Sequence, residues 1–204
     1  MHEVISHYDA LIDENNDPVH DPLVLRKYMD KWDGQGFIDA LRLTRECDVL
    51  EIGVGTGRLA VRVCGNCGSF LGIDISPKTI EQAKVNLARF SNCELVCGDF
   101  LEYSFDGQFD VIYSSLTFMH IKAKWQAINK VADLLRPSGV FVLSISNDTD
   151  RYLNYGTRKI ELYPDSRDEI ETLLHRAGLC VASTFCTEFA TVFAASKGRE
   201  VQGS

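Results

Sequence analysis

Val49-Leu50-Glu51-Ile52-Gly53-Val54-Gly55-Thr56-Gly57 is a short apolar, β-branched run that feeds a glycine-rich turn. The run has the composition of a strand buried on both faces. Three glycines on alternate positions let the backbone turn tightly and let a ligand approach with no Cβ in the way. Alone, such a turn is weak evidence, because dinucleotide-binding sheets use one as well. The spacing separates the two cases. The nucleotide fingerprint is G-x-G-x-x-G, whereas this loop is G-x-G-x-G with an acidic residue, Glu51, two places ahead.

Further strand signals follow at Phe70–Ile75, Glu94–Cys97, Phe109–Tyr113 and Val140–Ile145. Helical patterns separate them. Ser76-Pro77 reads as an N-cap with proline at the first helical position, followed by Ile80, Ala83, Leu87 and Phe90 at helical spacing. Trp125, Ile128, Val131 and Leu135 mark another helix, stopped by Pro137-Ser138-Gly139. Ser166 and Glu169 read as a capping box, and Gly178 as the C-terminal cap of the same helix. This alternation implies right-handed βαβ units and a doubly wound α/β sheet. At the end of the chain, Leu179–Phe189 and Thr191–Ala195 are strand-like with no helix between them, so they pair antiparallel at the sheet edge.

The start of the chain differs. Val4, Ile5, Tyr8, Leu11 and Ile12 trace one amphipathic helix; Leu25, Tyr28, Met29 and Trp32 trace a second. The polar stretch Asp13–Asp21 reads as a loop, and Gly34-Gln35-Gly36 as a hinge. Residues 1–46 are therefore expected to form a helical lid on a core spanning 47–204.

A length of 204 residues suits one domain. With 21 basic and 29 acidic residues the net charge is -8, which opposes binding to nucleic-acid phosphates. No apolar run approaches the roughly 20 residues of a membrane helix, and Met1-His2-Glu3-Val4 lacks the pattern of a signal peptide. The expectation is a cytoplasmic protein with no membrane or nucleic-acid partner. Seven cysteines suit reduced thiols. Cys64/Cys67 and Cys93/Cys97 read as free thiols rather than a zinc site, because residues four apart on a strand are separated by about 13 Å.

Asp74 ends the second strand beside the glycine turn, where a carboxylate can accept hydrogen bonds from both hydroxyls of a ribose. It can equally cap the Ser76 helix. Asp99, after Cys97-Gly98, can accept from an adenine amino group, with Phe100 against the ring, or the pair can simply form a turn.

Taken in order, these residues resemble the class I S-adenosylmethionine (SAM)-dependent methyltransferases, in their small-molecule branch. Val49–Gly57 looks like the family's first motif, Gly72-Ile73-Asp74-Ile75 like the post-first motif and Cys97–Phe100 like the adenine motif. Phe109–Ser115 and Leu134–Val140 are similar to the fourth-strand motif and the turn before the fifth strand. The resemblance implies a Rossmann-like, seven-stranded mixed sheet of order 3-2-1-4-5-7-6 with the seventh strand antiparallel. It also implies SAM as cofactor, held by Glu51, Gly53, Gly55 and Gly57 at the methionine end. Asp74 and Ile75 would lie at the ribose, Asp99 and Phe100 at the adenine, and Ser114 and Leu116 beside the methyl group. Tyr8 would close over the cofactor from the N-terminal helix. No metal is implied. Ser114-Ser115-Leu116-Thr117 departs from the Asn/Asp-Pro-Pro-aromatic motif of enzymes that methylate base amines.

The expected reaction is methyl transfer to a small-molecule acceptor by in-line displacement, in which orientation supplies much of the rate. His120, just past the fourth strand, is the expected base, with loop packing as its other reading. Tyr8, Tyr28 and Trp32 read either as an aromatic lid or as core. The segment Asp148–Tyr163 should border the acceptor, where Arg151, Arg158 and Lys159 either meet an anion or stay solvated. A SAM-binding regulator without turnover and a nicotinamide-dependent reductase are the competing functions.

Overall fold

The computed structural model describes residues 2–198. In chain order the helices are α1 (His2–Asp13), α2 (Leu23–Met29), α3 (Gly34–Ala40), α4 (Ala60–Val63), α5 (Pro77–Leu87), α6 (Lys124–Leu134) and α7 (Arg167–Arg176). The strands are β1 (Asp48–Ile52), β2 (Ser69–Asp74), β3 (Cys93–Cys97), β4 (Phe109–Ser115) and β5 (Leu135–Ser146), then β6 (Tyr152–Tyr155), β7 (Arg158–Glu161), β8 (Leu179–Cys186) and β9 (Ala190–Lys197). Seven of them form one sheet in the order β3-β2-β1-β4-β5-β9-β8, with β9 antiparallel to both neighbours. That is the expected topology; the numbering differs because β6 and β7 form a separate hairpin in the segment 148–163, where the sequence carried no strand signal.

Successive strand residues point to opposite faces, so each central strand feeds two apolar layers. Leu50, Ile52, Ile112, Phe141 and Phe193 pack against Ile128, Val131 and Leu174 on one face. Val49, Phe70, Tyr113, Val142 and Val192 pack against Phe37, Leu41, Leu59, Val63 and Ile80 on the other. The parallel registers Glu51↔Gly72 and Asp74↔Cys97 bring the carboxyl ends of β1, β2 and β3 to one edge. Among the described residues, no helix is long and apolar enough to cross a membrane, and no cluster of His, Cys, Asp or Glu is arranged to hold a metal.

Several local expectations hold. Ser76 Oγ accepts from Thr79 N at 3.2 Å with Pro77 at the helix start, and Gly178 ends α7 at φ +77°. Others are corrected. The Ser166 side chain makes no capping hydrogen bond, so there is no capping box. Leu135 opens β5, where it pairs with Phe109 of β4, and does not end α6. Gly34–Gly36 lies inside α3, capped by Asp33, so it is no hinge.

The N-terminal elements are tied to the sheet at both ends. Asp9 on α1 accepts from Ser76 Oγ at 2.7 Å and from Lys78 N at 3.2 Å. Lys78 reaches Asp13, and Arg158 reaches Glu14 at 2.8 Å. In the loop after α1, Asp17 accepts from Gln82 and Asn86 of α5. Beyond α2, the carbonyl of Lys31 accepts from Thr187 Oγ1 and Phe189 N, and the carbonyl of Trp32 accepts from Ser144 Oγ.

Candidate functional site

A cavity of about 530 Å³ lies at the carboxyl ends of β1, β2 and β4, roofed by α1. This is the edge where open α/β sheets bind ligands, and the volume is in the range of small-molecule sites, roughly 300–1,000 Å³. Tyr8, Glu51, Gly53, Gly55, Asp74, Ile75, Asp99, Phe100, Leu116 and His120 all line it.

The floor is the glycine turn. Gly53 N and Val54 N both donate to Ile73 O, at 2.9 and 3.1 Å, which pins the turn to β2. A Cβ on Gly53 (φ +77°) would sit 2.0 Å from Thr117 Oγ1, so no other residue fits. A Cβ on Gly55 (φ +56°) would meet nothing within 4 Å, which leaves a bare stretch of backbone open to a ligand. Glu51 is buried beneath it and accepts from the Tyr113 hydroxyl at 2.7 Å. Burial drives its carboxyl well above the ordinary range, partly offset by that hydrogen bond.

Asp74 braces the turn, accepting from Gly55 N and Ser76 N at 3.0 Å each. Burial raises its carboxyl, and these backbone donors oppose the rise. Each carboxylate oxygen has a second lone pair, so capping the helix and facing the cavity are compatible. Asp99 Oδ1 takes Leu101 N at 2.8 Å. Phe100 is 6% exposed, with Lys130 Nζ 5.3 Å from its ring centre.

Two expected residues lie elsewhere. Gly57 does not line the cavity; its Cα faces Leu87 of α5, where a Cβ would come within 3.1 Å. Ser114 is buried on the opposite face of β4 and donates to Ile52 O at 2.9 Å. Strand alternation puts its neighbour Ser115 on the cavity side instead. The aromatic lid reduces to Tyr8, because Tyr28 and Trp32 pack on Phe189 outside the cavity. Arg158 is spent on Glu14 and Lys159 sits 3.8 Å over the Tyr152 ring; neither they nor Arg151 line the cavity. Of the segment 148–163, only Tyr163 does.

Two buried ion pairs at the cavity were not read from the sequence. Asp33, with its side chain fully buried, is held by both terminal nitrogens of Arg58, by Ser115 Oγ at 2.9 Å and by Gly34 N at 2.7 Å. Arg58 and Ser115 line the cavity. An Asp immediately before a helix is an N-cap signal, so Asp33 was open to detection; its pairing with Arg58 was not. Lys124, at the first turn of α6, donates to Tyr163 O at 2.8 Å and to Phe118 O, and lies 2.7 Å from Asp165. No periodicity marks a lysine for that role. Together with Tyr163 N donating to Met119 O at 2.7 Å, it fixes the cavity wall formed by the 3-10 turn Phe118–His120.

On that wall, the Tyr8 hydroxyl and His120 Nε2 are hydrogen bonded at 2.9 Å. Desolvation, then His7 and Lys124, lower the His120 pKa to about 4. His120 is therefore neutral in the fold at pH values where the unfolded chain, with an ordinary value of about 6.5, begins to bind a proton. From this group, stability is full above about pH 6.5 and falls on acidification toward pH 4, by up to about 3 kcal/mol. Chemical denaturation across pH 4–7 checks this; the slope should flatten in His120→Asn, and an equal slope in both proteins would refute it.

Residues 49–139 match the Methyltransferase domain family. A malonyl-[acyl-carrier protein] O-methyltransferase of Priestia megaterium is 31% identical over 129 residues, covering 60% of this chain and 47% of that protein. A ubiquinone biosynthesis O-methyltransferase of Thiobacillus denitrificans is 28% identical over 109 residues, covering 52% and 47%. The chain thus spans about half the length of the curated relatives it matches. Among solved structures, the DhpI-SAH complex aligns with a TM-score of 0.76 at 19% identity, covering 97% of each chain. A S-adenosylmethionine dependent methyltransferase structure from Listeria monocytogenes aligns at 0.75 and 16% identity, covering 85% of this chain and 99% of that one. At such identities the structural likeness is one of fold.

Proposed function

We propose that this chain, a class I SAM-dependent methyltransferase by its fold and by the methyltransferase domain at residues 49–139, binds SAM in the cavity and transfers its methyl group to a small molecule. The observation that carries the reading is that Glu51, the open Gly55 backbone, Asp74 and Asp99 face one volume at the carboxyl edge of the sheet. The residues present fit the cofactor. Gly55 leaves room where a side chain would intrude, and the carboxylates follow one another along the strand ends in the order a methionine, ribose and adenine require.

When bound, SAM supplies an electrophilic methyl group that needs no further activation. The protein's part is to hold and orient. Glu51 would receive the methionine ammonium, Asp74 the ribose hydroxyls with Ile75 beside them, and Asp99 and Phe100 the adenine. Leu116, at φ +57°, turns the chain after β4 so that Thr117 packs on Gly53 and His120 reaches the wall. His120, neutral and bonded to Tyr8, can take a proton from an acceptor whose nucleophile carries one. Residues 1–46, through α1, would close the cavity and exclude water. The relatives' names give unlike acceptors, so none is carried over to this chain.

Calorimetry is the test: SAM and its demethylated product SAH should bind in the micromolar range, and NAD should not. Asp74→Ala should weaken SAM binding by about 1–3 kcal/mol, as expected when hydroxyls lose a charged acceptor. NAD binding without SAM binding would end the reading, and a folded Asp74→Ala protein of unchanged affinity would remove Asp74 from the ribose.

A further inference from the structure

The cavity divides by chemistry. Its carboxylates, Glu51, Asp74 and Asp99, follow the strand ends. The remaining wall is drawn from α1, Met29, the turn after β4 and Tyr163, and is dominated by Val4, Leu11, Ile12, Met119 and Ile121. Among the described residues, the cations within the wall are committed elsewhere, and the one at the rim, Lys122, is solvated. Arg58 is held by Asp33, itself also bonded to Ser115. Lys124 is held by Asp165 and two carbonyls. Arg158 lies outside, on Glu14. Lys122 sits exposed at the rim, 5.8 Å over the Tyr163 ring.

We infer that the methyl acceptor is an uncharged, predominantly apolar small molecule that presents one hydrogen-bonding group to the Tyr8–His120 pair. The inference rests on the methyltransferase reading for the cofactor's place, and on the cavity lining for the acceptor's chemistry. An anion would lose its hydration against three acidic side chains, Glu51, Asp74 and Asp99, with the exposed Lys122 at the rim as the one protein cation left to meet it among the described residues. A cation would share the chamber with the sulfonium that the donor brings, a like charge at short range in a poorly solvated space. An apolar body loses nothing and covers the side chains of α1 and Met119. Thr117 Oγ1 donates to Ser115 O, so on this side the polar side chains left to orient an acceptor are Tyr8, His120 and Asn16, with Lys122 at the rim.

The experiment uses the full chain saturated with SAH and a matched aromatic panel read by saturation-transfer NMR: phenol and anisole, benzoate, phenyl phosphate and benzylammonium. Phenol and anisole are expected to bind at least tenfold more tightly than benzoate and phenyl phosphate, and benzylammonium, which SAH leaves unopposed, is expected to fall behind them when SAM replaces SAH. Met119→Lys, which places a cation in the wall, should reverse the order in favour of benzoate while SAH affinity stays within about twofold by calorimetry. Benzoate or phenyl phosphate binding the natural protein as well as phenol would overturn the inference, as would no binding by either neutral member. If SAH does not bind, the methyltransferase reading fails separately, and the panel on the free protein still reports the charge preference of the lining.

Discussion

Asp33→Ala is expected to lower the free energy of unfolding by about 3–5 kcal/mol, as is usual when one partner of a buried ion pair is removed. The carboxylate is fully enclosed and receives Arg58 through both terminal nitrogens, Ser115 Oγ and Gly34 N. Without it, a guanidinium whose side chain is 18% exposed keeps its charge and loses its counter-ion. The α3 helix loses its cap as well, a further loss of about 1 kcal/mol. Urea denaturation of the two proteins measures the difference. A loss below about 1 kcal/mol would show that water reaches Arg58 readily and that the pair is not structural. SAM affinity should fall too, because Arg58 and Ser115 face the cavity.

Lys124→Met should cost a similar amount, about 3–5 kcal/mol, for a related reason. Methionine matches the aliphatic stem but leaves Asp165, 2% exposed, without its cation, and frees the carbonyls of Phe118 and Tyr163. The lysine stands at the positive end of α6, an unfavourable place for a cation, and burial lowers its pKa against the pull of Asp165. Its contacts offset both costs. A second change, Asp165→Leu, removes the orphaned charge and should restore part of the loss, though not all, since the two carbonyls stay unpaired. Hydrogen exchange should meanwhile rise at residues 118–121. If the double variant is no more stable than Lys124→Met alone, Asp165 is not the partner that matters.

The sheet was readable because its strands are apolar runs of strand length and its helices carry caps at Ser76 and Gly178. Asp74, Asp99 and the glycine turn were readable because they sit at strand ends, where topology brings them together whatever the loops do. What escaped has a common cause. Ser114 and Ser115 differ only in which side of β4 they face, and a one-residue choice of face is set by packing, not composition. Gly57 looks like its two neighbours in sequence, yet its conformation serves the packing of Leu87. Asp33–Arg58 and Lys124–Asp165 join residues 25 and 41 positions apart, and single charges in a sequence carry no mark of their partners. Tyr28 and Trp32 share a helical spacing with Leu25 and Met29, but α2 ends at Met29, and both rings pack on Phe189 of the final hairpin, a partner that the spacing does not reveal.

The attachment of Lys31 and Trp32 to the final hairpin has a consequence for the order of assembly. These carbonyls are held by Ser144, Thr187 and Phe189, and the next residue is Asp33. Closing a loop of more than 150 residues is entropically slow and is repaid only when both ends have docked. During synthesis, β1 through β4 can pair and Asp33 can meet Arg58 and Ser115 while the last strands are still being made, but the Lys31 carbonyl has no partner until Thr187 and Phe189 arrive. A chain truncated before its last hairpin would thus carry every residue that lines the cavity yet leave the Lys31 carbonyl without Thr187 and Phe189, so the segment that presents Asp33 would be anchored on one side alone.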